Sequence, residues 1–266
     1  MANLSVKEMI SAGVHFGHQS KYWNPKMRPF IFTTYKKLHI INLDKSIERF
    51  KTASTFIEKL AKNNSKILFV GTKRAAREII QRYAINIKMP YVNNRWLGGM
   101  LTNFDTVKKS IQKLDDLKRY LDRSKLLEDM TKKEMLSVKK KIVKLEKNLA
   151  GIKDLEKLPD ALFVIDTRYE KIAIQEANKL NIPVIAIVDS NNSFEGVDYM
   201  IPGNDDSMSS IELFVREISD IISNHVQQDQ SKPLNQNSSR KSFKKKQVIE
   251  VQKDKSKQKS QTKKKD

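Results

Sequence analysis

Residues 161–188 read ALFVIDTRYEKIAIQEANKLNIPVIAIV. Two runs in it, ALFVID (Ala161 to Asp166) and PVIAIV (Pro183 to Val188), are β-branched or aromatic and apolar on both faces. Such runs suit strands of a parallel sheet covered by helices on each side. An amphipathic helix is expected between them, from Tyr169 to Leu180. Strand, helix and strand make a βαβ unit, whose crossover is right-handed.

The same alternation extends in both directions. KILFVG (Lys66 to Gly71) is a third buried strand; MPYVN near Met89 and DYMIP near Tyr199 are shorter ones. LHIINL (Leu38 to Leu43) reads as an edge strand. Helices are expected at Asp44 to Lys62, Lys73 to Ala84 and Ser207 to Asn224. Ser5-x-x-Glu8 and Ser209-x-x-Glu212 have the spacing of capping boxes. The fold class is α/β, a three-layer parallel sheet.

Residues from about Val107 to Ile152 break this rhythm, being charged and nearly free of Gly and Pro. Met135, Val138, Ile142, Leu145, Leu149 and Ile152 step by 3, 4, 3, 4, 3, a heptad seam. Val107, Ile111, Leu114 and Leu121 form a compatible first arm, and Thr131-x-x-Glu134 restarts a helix between the two. An antiparallel coiled-coil hairpin inserted between strands is expected, each arm reaching roughly 27 Å. The organisation read from this is an α/β domain in 1–104 and 153–226, the hairpin insertion in 105–152, and a Lys-rich tail in 227–266. The tail has few apolar residues and no sustained period, so it is expected to be disordered.

Lys and Arg number 51 against 31 Asp and Glu, a net charge of +20. Such an excess favours a polyanionic partner, because each neutralised phosphate releases condensed counterions. A Lys-rich surface without a specific partner is the alternative. No stretch is long enough in apolar residues to span a bilayer, so no membrane partner is expected and the protein should be soluble. There are no cysteines, which excludes disulfides and thiolate metal sites.

Four parts of the sequence offer candidate chemistry. The turn FVGTKRAAREI (Phe69 to Ile79) looks like a phosphate loop but has a single glycine, Gly71. Neither GxxxxGK[ST] nor GxGxxG occurs, so nucleotide chemistry lacks its usual cradle. Lys73, Arg74 and Arg77 could still hold a phosphate, or form a solvated helix face. The strand ends offer Asp166, Asp189, Asp205 and Asp206, which could bind Mg²⁺ or serve as turn and cap residues. A structural metal there could recruit a histidine such as His18. GVHFGHQSKYWNPKMRPFIF (Gly13 to Phe32) has two histidines but no evident nucleophile. Pro25 and Pro29 should fix extended turns that present Lys21, Lys26 and Arg28 outward while Phe16, Phe30 and Phe32 bury. NNRWLGGMLTN (Asn93 to Asn103) offers Arg95 as a phosphate contact or an internal ion pair, with Trp96 and Leu97 plugging the core.

Several long blocks then occur in order: AGVHFGHQSKYWNPKMRPFIF, HIINLDKS, ILFVGTKRAA, NRWLGGMLTNF, GIKDLEKLPDALFVIDT, IAIQEANKLNIPVIAIVDSN and GVDYMIPGNDD. Over about residues 4–224 the chain resembles the bacterial-type ribosomal protein S2 family of the small subunit. The resemblance implies a Rossmann-like sheet with an inserted coiled-coil hairpin and a non-enzymatic role. It also implies binding to small-subunit ribosomal RNA between head and body, late assembly, and help in seating the neighbouring ribosomal protein S1. Its setting would be a cytoplasmic ribosome, an organellar one being the alternative. Asn94 stands where many members have His, so no role of that His passes to it. The tail beyond about Gln227 has no counterpart in a compact member.

The expected RNA contacts are therefore Lys21, Lys26, Arg28, Lys36, Lys37, Lys73, Arg74, Arg77, Arg95, Lys108 and Lys109. They would grip phosphates with little base readout. No cofactor, small-molecule substrate or catalytic residue is expected. An RNA-acting enzyme and a protein-only coiled-coil adaptor are the competing classes.

Overall fold

The computed structural model describes residues 4–127 and 131–230. Five strands, β4 (Ile67–Val70), β5 (Tyr91–Val92), β6 (Ala161–Ile165), β7 (Val184–Val188) and β8 (Tyr199–Pro202), form one parallel sheet. Their spatial order is β5-β4-β6-β7-β8. Every residue of β4, β6 and β7 is buried, as runs apolar on both faces require.

Successive strand residues face opposite cores. Ile67, Phe69, Phe163, Ile165, Ile185 and Ile187 pack with α2 (Leu43–Lys62), α3 (Arg77–Asn86) and α7 (Met208–Gln230). Leu68, Val70, Leu162, Val164, Val184, Ala186 and Val188 pack on the other face with α6 (Lys171–Lys179). The same second core takes Val107, Ile111 and Leu149, the near ends of α4 (Phe104–Leu127) and α5 (Lys132–Leu149).

Away from the sheet, α4 and α5 pack on one another through Leu114, Leu121 and Ile142, flanked by Leu117, Met135, Val138 and Leu145. Lys118 meets Glu146 at 2.5 Å and Lys153 meets Asp115 at 3.0 Å, so the helices run antiparallel. Thr131 and Glu134 make the reciprocal capping box that starts α5. Ser5 and Glu8 do the same for α1 (Val6–Ser11).

Four local expectations are corrected. LHII is no edge of the main sheet. As β3 (Leu38–Ile41) it is the centre of a separate antiparallel sheet, between β1 (Phe16–Gln19) and β2 (Ile31–Tyr35). Pro25 to Phe30 form a 3-10 helix, because Asn24 accepts the Lys26 N–H and Pro25 has no donor to lose. Ser209 lies inside α7 and caps nothing; Asn204 instead accepts the N–H groups of Asp206 and Ser207. Its supposed box partner Glu212 reaches Arg82 and Tyr83 on α3. Lastly, Phe30 is buried but Phe16 and Phe32 are exposed, Phe32 to 72 %. The tail expected to be disordered from residue 227 overlaps α7, which runs to Gln230; its remaining residues, 231–266, lie outside the described residues.

Candidate nucleic-acid interface

In an open α/β sheet, ligands bind outside the carboxyl ends of the strands. Here most of that edge is filled by the protein's own side chains. Asp166 ends β6 with φ +68°, a left-handed conformation that Asp tolerates. The turn aims the N–H groups of Arg168 and Tyr169 at Asp166 Oδ1, at 2.9 and 3.0 Å. Lys73 Nζ reaches Asp166 Oδ2 at 3.1 Å, Asp205 Oδ1 at 2.6 Å and Asp206 Oδ1 at 2.5 Å. Asn192 donates to Asp205 Oδ2 at 2.6 Å and to Asp166 Oδ1 at 3.2 Å.

His18 closes the other side. Its Nδ1 lies 3.0 Å from Asp189 Oδ2 and its Nε2 3.0 Å from Asp206 Oδ2. One imidazole and the carboxylates of Asp189 and Asp206 put three ligand atoms within 4.8 Å of one another, donors of a kind that suits a divalent metal.

The electrostatics follow from a charge count. Four carboxylates face one ammonium and one imidazole. Burial opposes the charge on Lys73, yet Asp205, Asp206 and Asp166 hold its ammonium protonated well above the ordinary range. Asp189 beside His18 raises the imidazole against the effect of burial. Asp205 is pushed up to about 8 by burial and by the charges of Asp189 and Asp166, with Lys73 pulling the other way. The surplus of negative charge is what pushes Asp205 up, while the Lys73 ammonium and the Asn192 amide donate to its two oxygens.

This network anchors the N-terminal arm, residues 13–41. His18 N–H donates to Ser190 Oγ at 2.8 Å, and Asn24 N–H to the Ser190 carbonyl at 2.8 Å. A Cβ at Gly17 would lie 2.7 Å from Ser190 Oγ, so only glycine allows the approach. Lys26 pairs with Glu195.

The arm carries exposed cations and rings together. Lys21 lies over Tyr22 and Lys36 over Tyr35, at 4.5 and 5.3 Å from the ring centroids. Tyr35 and Leu38 are cross-strand partners joined by Lys36 and Lys37 alone, and both lysines have positive φ. That is the type I′ hairpin geometry that Asn-Gly usually supplies. Arg28 is exposed on the same arm.

The other expected contacts divide. Arg74, Arg77, Arg95 and Lys109 are exposed, and Lys108 is half-buried over the Phe104 ring at 4.9 Å. Arg95 has no carboxylate partner among the described residues, so its internal ion pair does not form. Lys73 is corrected. Its side chain is only 16 % exposed and its ammonium is already engaged by three carboxylates. Nothing local betrays this, because the acids come from loops 93 and 132 residues away.

Glu176 is the residue the sequence reading missed. It accepts from Trp96 Nε1 at 3.0 Å, Gly99 N at 2.8 Å, Leu101 N at 2.9 Å and Thr102 N at 3.2 Å. Burial alone would raise its carboxyl, but these donors outweigh burial and hold it below the ordinary range. One carboxylate thereby shapes the loop that presents Arg95. The only signal was an acid on the buried face of an amphipathic helix.

Among the described residues no nucleophile with a paired base is assembled at this edge; the edge joins a cationic arm to an α/β body. The family model described as Ribosomal protein S2 matches residues 9–225, most of the chain, which therefore belongs to the ribosomal protein S2 family, structural proteins of the small ribosomal subunit and not enzymes.

Proposed function

We propose that this chain binds small-subunit ribosomal RNA and thereby supports subunit assembly and translation. The observation that carries the reading is the N-terminal arm, which combines Lys21, Arg28, Lys36 and Lys37 with exposed Tyr22, Phe32 and Tyr35. Phosphates are gripped by the cations, and unpaired bases stack on the rings. Arg74, Arg77, Arg95, Lys108 and Lys109 extend the contact over the body, while Lys26 exchanges Glu195 for phosphate. Lys73 is left out, being committed to its carboxylates.

The α4–α5 pair acts as a coiled coil, and rigid spacing between the patches supplies specificity through avidity. In this reading the protein is bacterial-type, resides on cytoplasmic ribosomes and helps seat ribosomal protein S1. Among the described residues, no helix is long and apolar enough to cross a membrane.

The test is sedimentation of tagged protein in cell extract, before and after RNase. Cofractionation with small subunits, abolished by RNase, is expected. RNase-resistant complexes away from small subunits would contradict the proposal and favour a protein-only adaptor.

A further inference from the structure

The chain from β4 leaves through α3 toward β5, and the chain from β6 leaves through α6 toward β7 on the opposite face. The two connections diverge, and a crevice opens between them at the carboxyl edge of the sheet. This is the topological switch point, where open α/β folds place their ligands. It lies beside, but apart from, the plug formed by Lys73 and His18. A cavity of about 490 Å³ occupies it.

Its lining is cationic and aromatic. Arg77, Arg95 and Lys147 come from three different elements. None of them has a carboxylate within ion-pair distance among the described residues. Arg77 is oriented by its Nε, which donates to the Thr72 carbonyl at 2.7 Å, leaving its terminal nitrogens for a ligand. Trp96 forms part of the wall, its indole N–H spent on Glu176. Tyr169 stands at the rim, 66 % exposed. Glu170 is buried and accepts the Thr72 N–H at 2.7 Å.

The crevice cannot hold a polyphosphate in the usual way. A Cβ at Gly71 would lie 2.3 Å from Ile80 Cδ1, so the glycine serves the packing of α3 and its backbone is closed to a phosphate. Side chains, and not a loop of N–H groups, must carry the anion. Three cations lining one cavity match one phosphate, and an exposed ring on the same lining matches one base.

We infer that the crevice between β4 and β6 is a binding site for a single unpaired nucleotide, its phosphate held by Arg77, Arg95 and Lys147 and its base stacked on Tyr169. Its source is a nucleotide extruded from ribosomal RNA, which rests on the function proposed above; a free mononucleotide shares the chemistry.

The test uses the full chain with Trp23→Phe, leaving Trp96 as the reporter in the wall. Adenosine monophosphate, inorganic phosphate and a single-stranded oligoribonucleotide carrying 4-thiouridine are the probes. Saturable change in Trp96 fluorescence with the mononucleotide is expected, weakened about tenfold or more in Arg95→Ala/Lys147→Ala. Tyr169→Ala should weaken the mononucleotide by about fivefold or more and leave inorganic phosphate unchanged, because stacking on one ring is worth about that much. Cross-linking of the oligoribonucleotide to Tyr169 would support RNA as the source. Mononucleotide binding without that cross-link would support the site while removing RNA as its occupant. Absence of saturable mononucleotide binding, or binding unchanged in both variants, would overturn the inference even where the chain still binds RNA through its arm. Arg95, Lys147 and Tyr169 are exposed and Trp23 is half-buried, and matching circular dichroism spectra would show that the variants fold.

Discussion

Lys73 Nζ lies 2.6 Å from Oδ1 of Asp205, a carboxylate with no solvent exposure. The pair sits where an enzyme of this architecture would keep its ligand site, and it closes that part of the edge. Replacing the ammonium with a neutral group of similar length leaves buried carboxylates facing one another. Lys73→Met should therefore cost about 3–5 kcal/mol, the range for removing one partner of a buried pair. Urea unfolding of both proteins checks this. A loss below about 1 kcal/mol would mean the pair is dispensable.

His18 ties the arm to the same edge, with a consequence for pH. Asp189 raises its imidazole above the free value, about 6.5. A raised value means the native state holds the proton more tightly. This stabilisation is full below about pH 6.5 and is lost as pH rises through the folded-state value. Asp205 acts in the same sense: raised to about 8, it keeps a proton that the unfolded chain gives up near pH 4. Stability should fall between pH 5.5 and 8.5, and fall less in His18→Asn. Urea midpoints at the two pH values decide it, and identical slopes for the two proteins would contradict the latch.

Glu176 gives the opposite pH sign. Its carboxyl is held below the ordinary range, so its stabilisation is present at neutral pH and lost only as acid titrates it through the folded-state value. Glu176→Ala leaves the N–H groups of Trp96, Gly99, Leu101 and Thr102 short of an acceptor. A loss of about 2–4 kcal/mol is expected, with Trp96 fluorescence reporting a loosened loop at neutral pH. An unchanged unfolding midpoint would show that water replaces the carboxylate without cost.

What was legible in the chain follows from how local each signal is. ALFVI and VIAIV could be read as parallel strands because burial on both faces leaves no polar positions. The apolar period from Met135 to Leu145 was legible as one face of a helix because helix packing repeats along one chain, whereas Leu149 and Ile152 turn out to join the sheet's second core. Illegible features depend on partners distant in sequence. Lys73 looked like a helix-start cation until Asp166 and Asp205 arrived from other loops. Glu176 looked like any helical acid until four donors from Trp96 to Thr102 met it. Phe16 and Phe32 read as core by composition, but the small antiparallel sheet leaves them exposed.

That exposed sheet is where the RNA-binding proposal is most vulnerable. Affinity of the full chain for small-subunit ribosomal RNA, titrated against salt, should fall linearly on logarithmic axes, with a slope near 0.7–0.9 per phosphate contact. Replacing Lys21, Arg28, Lys36 and Lys37 together with Gln should make the slope shallower by roughly 3. An unchanged slope and affinity in that variant would contradict the arm's role in gripping RNA.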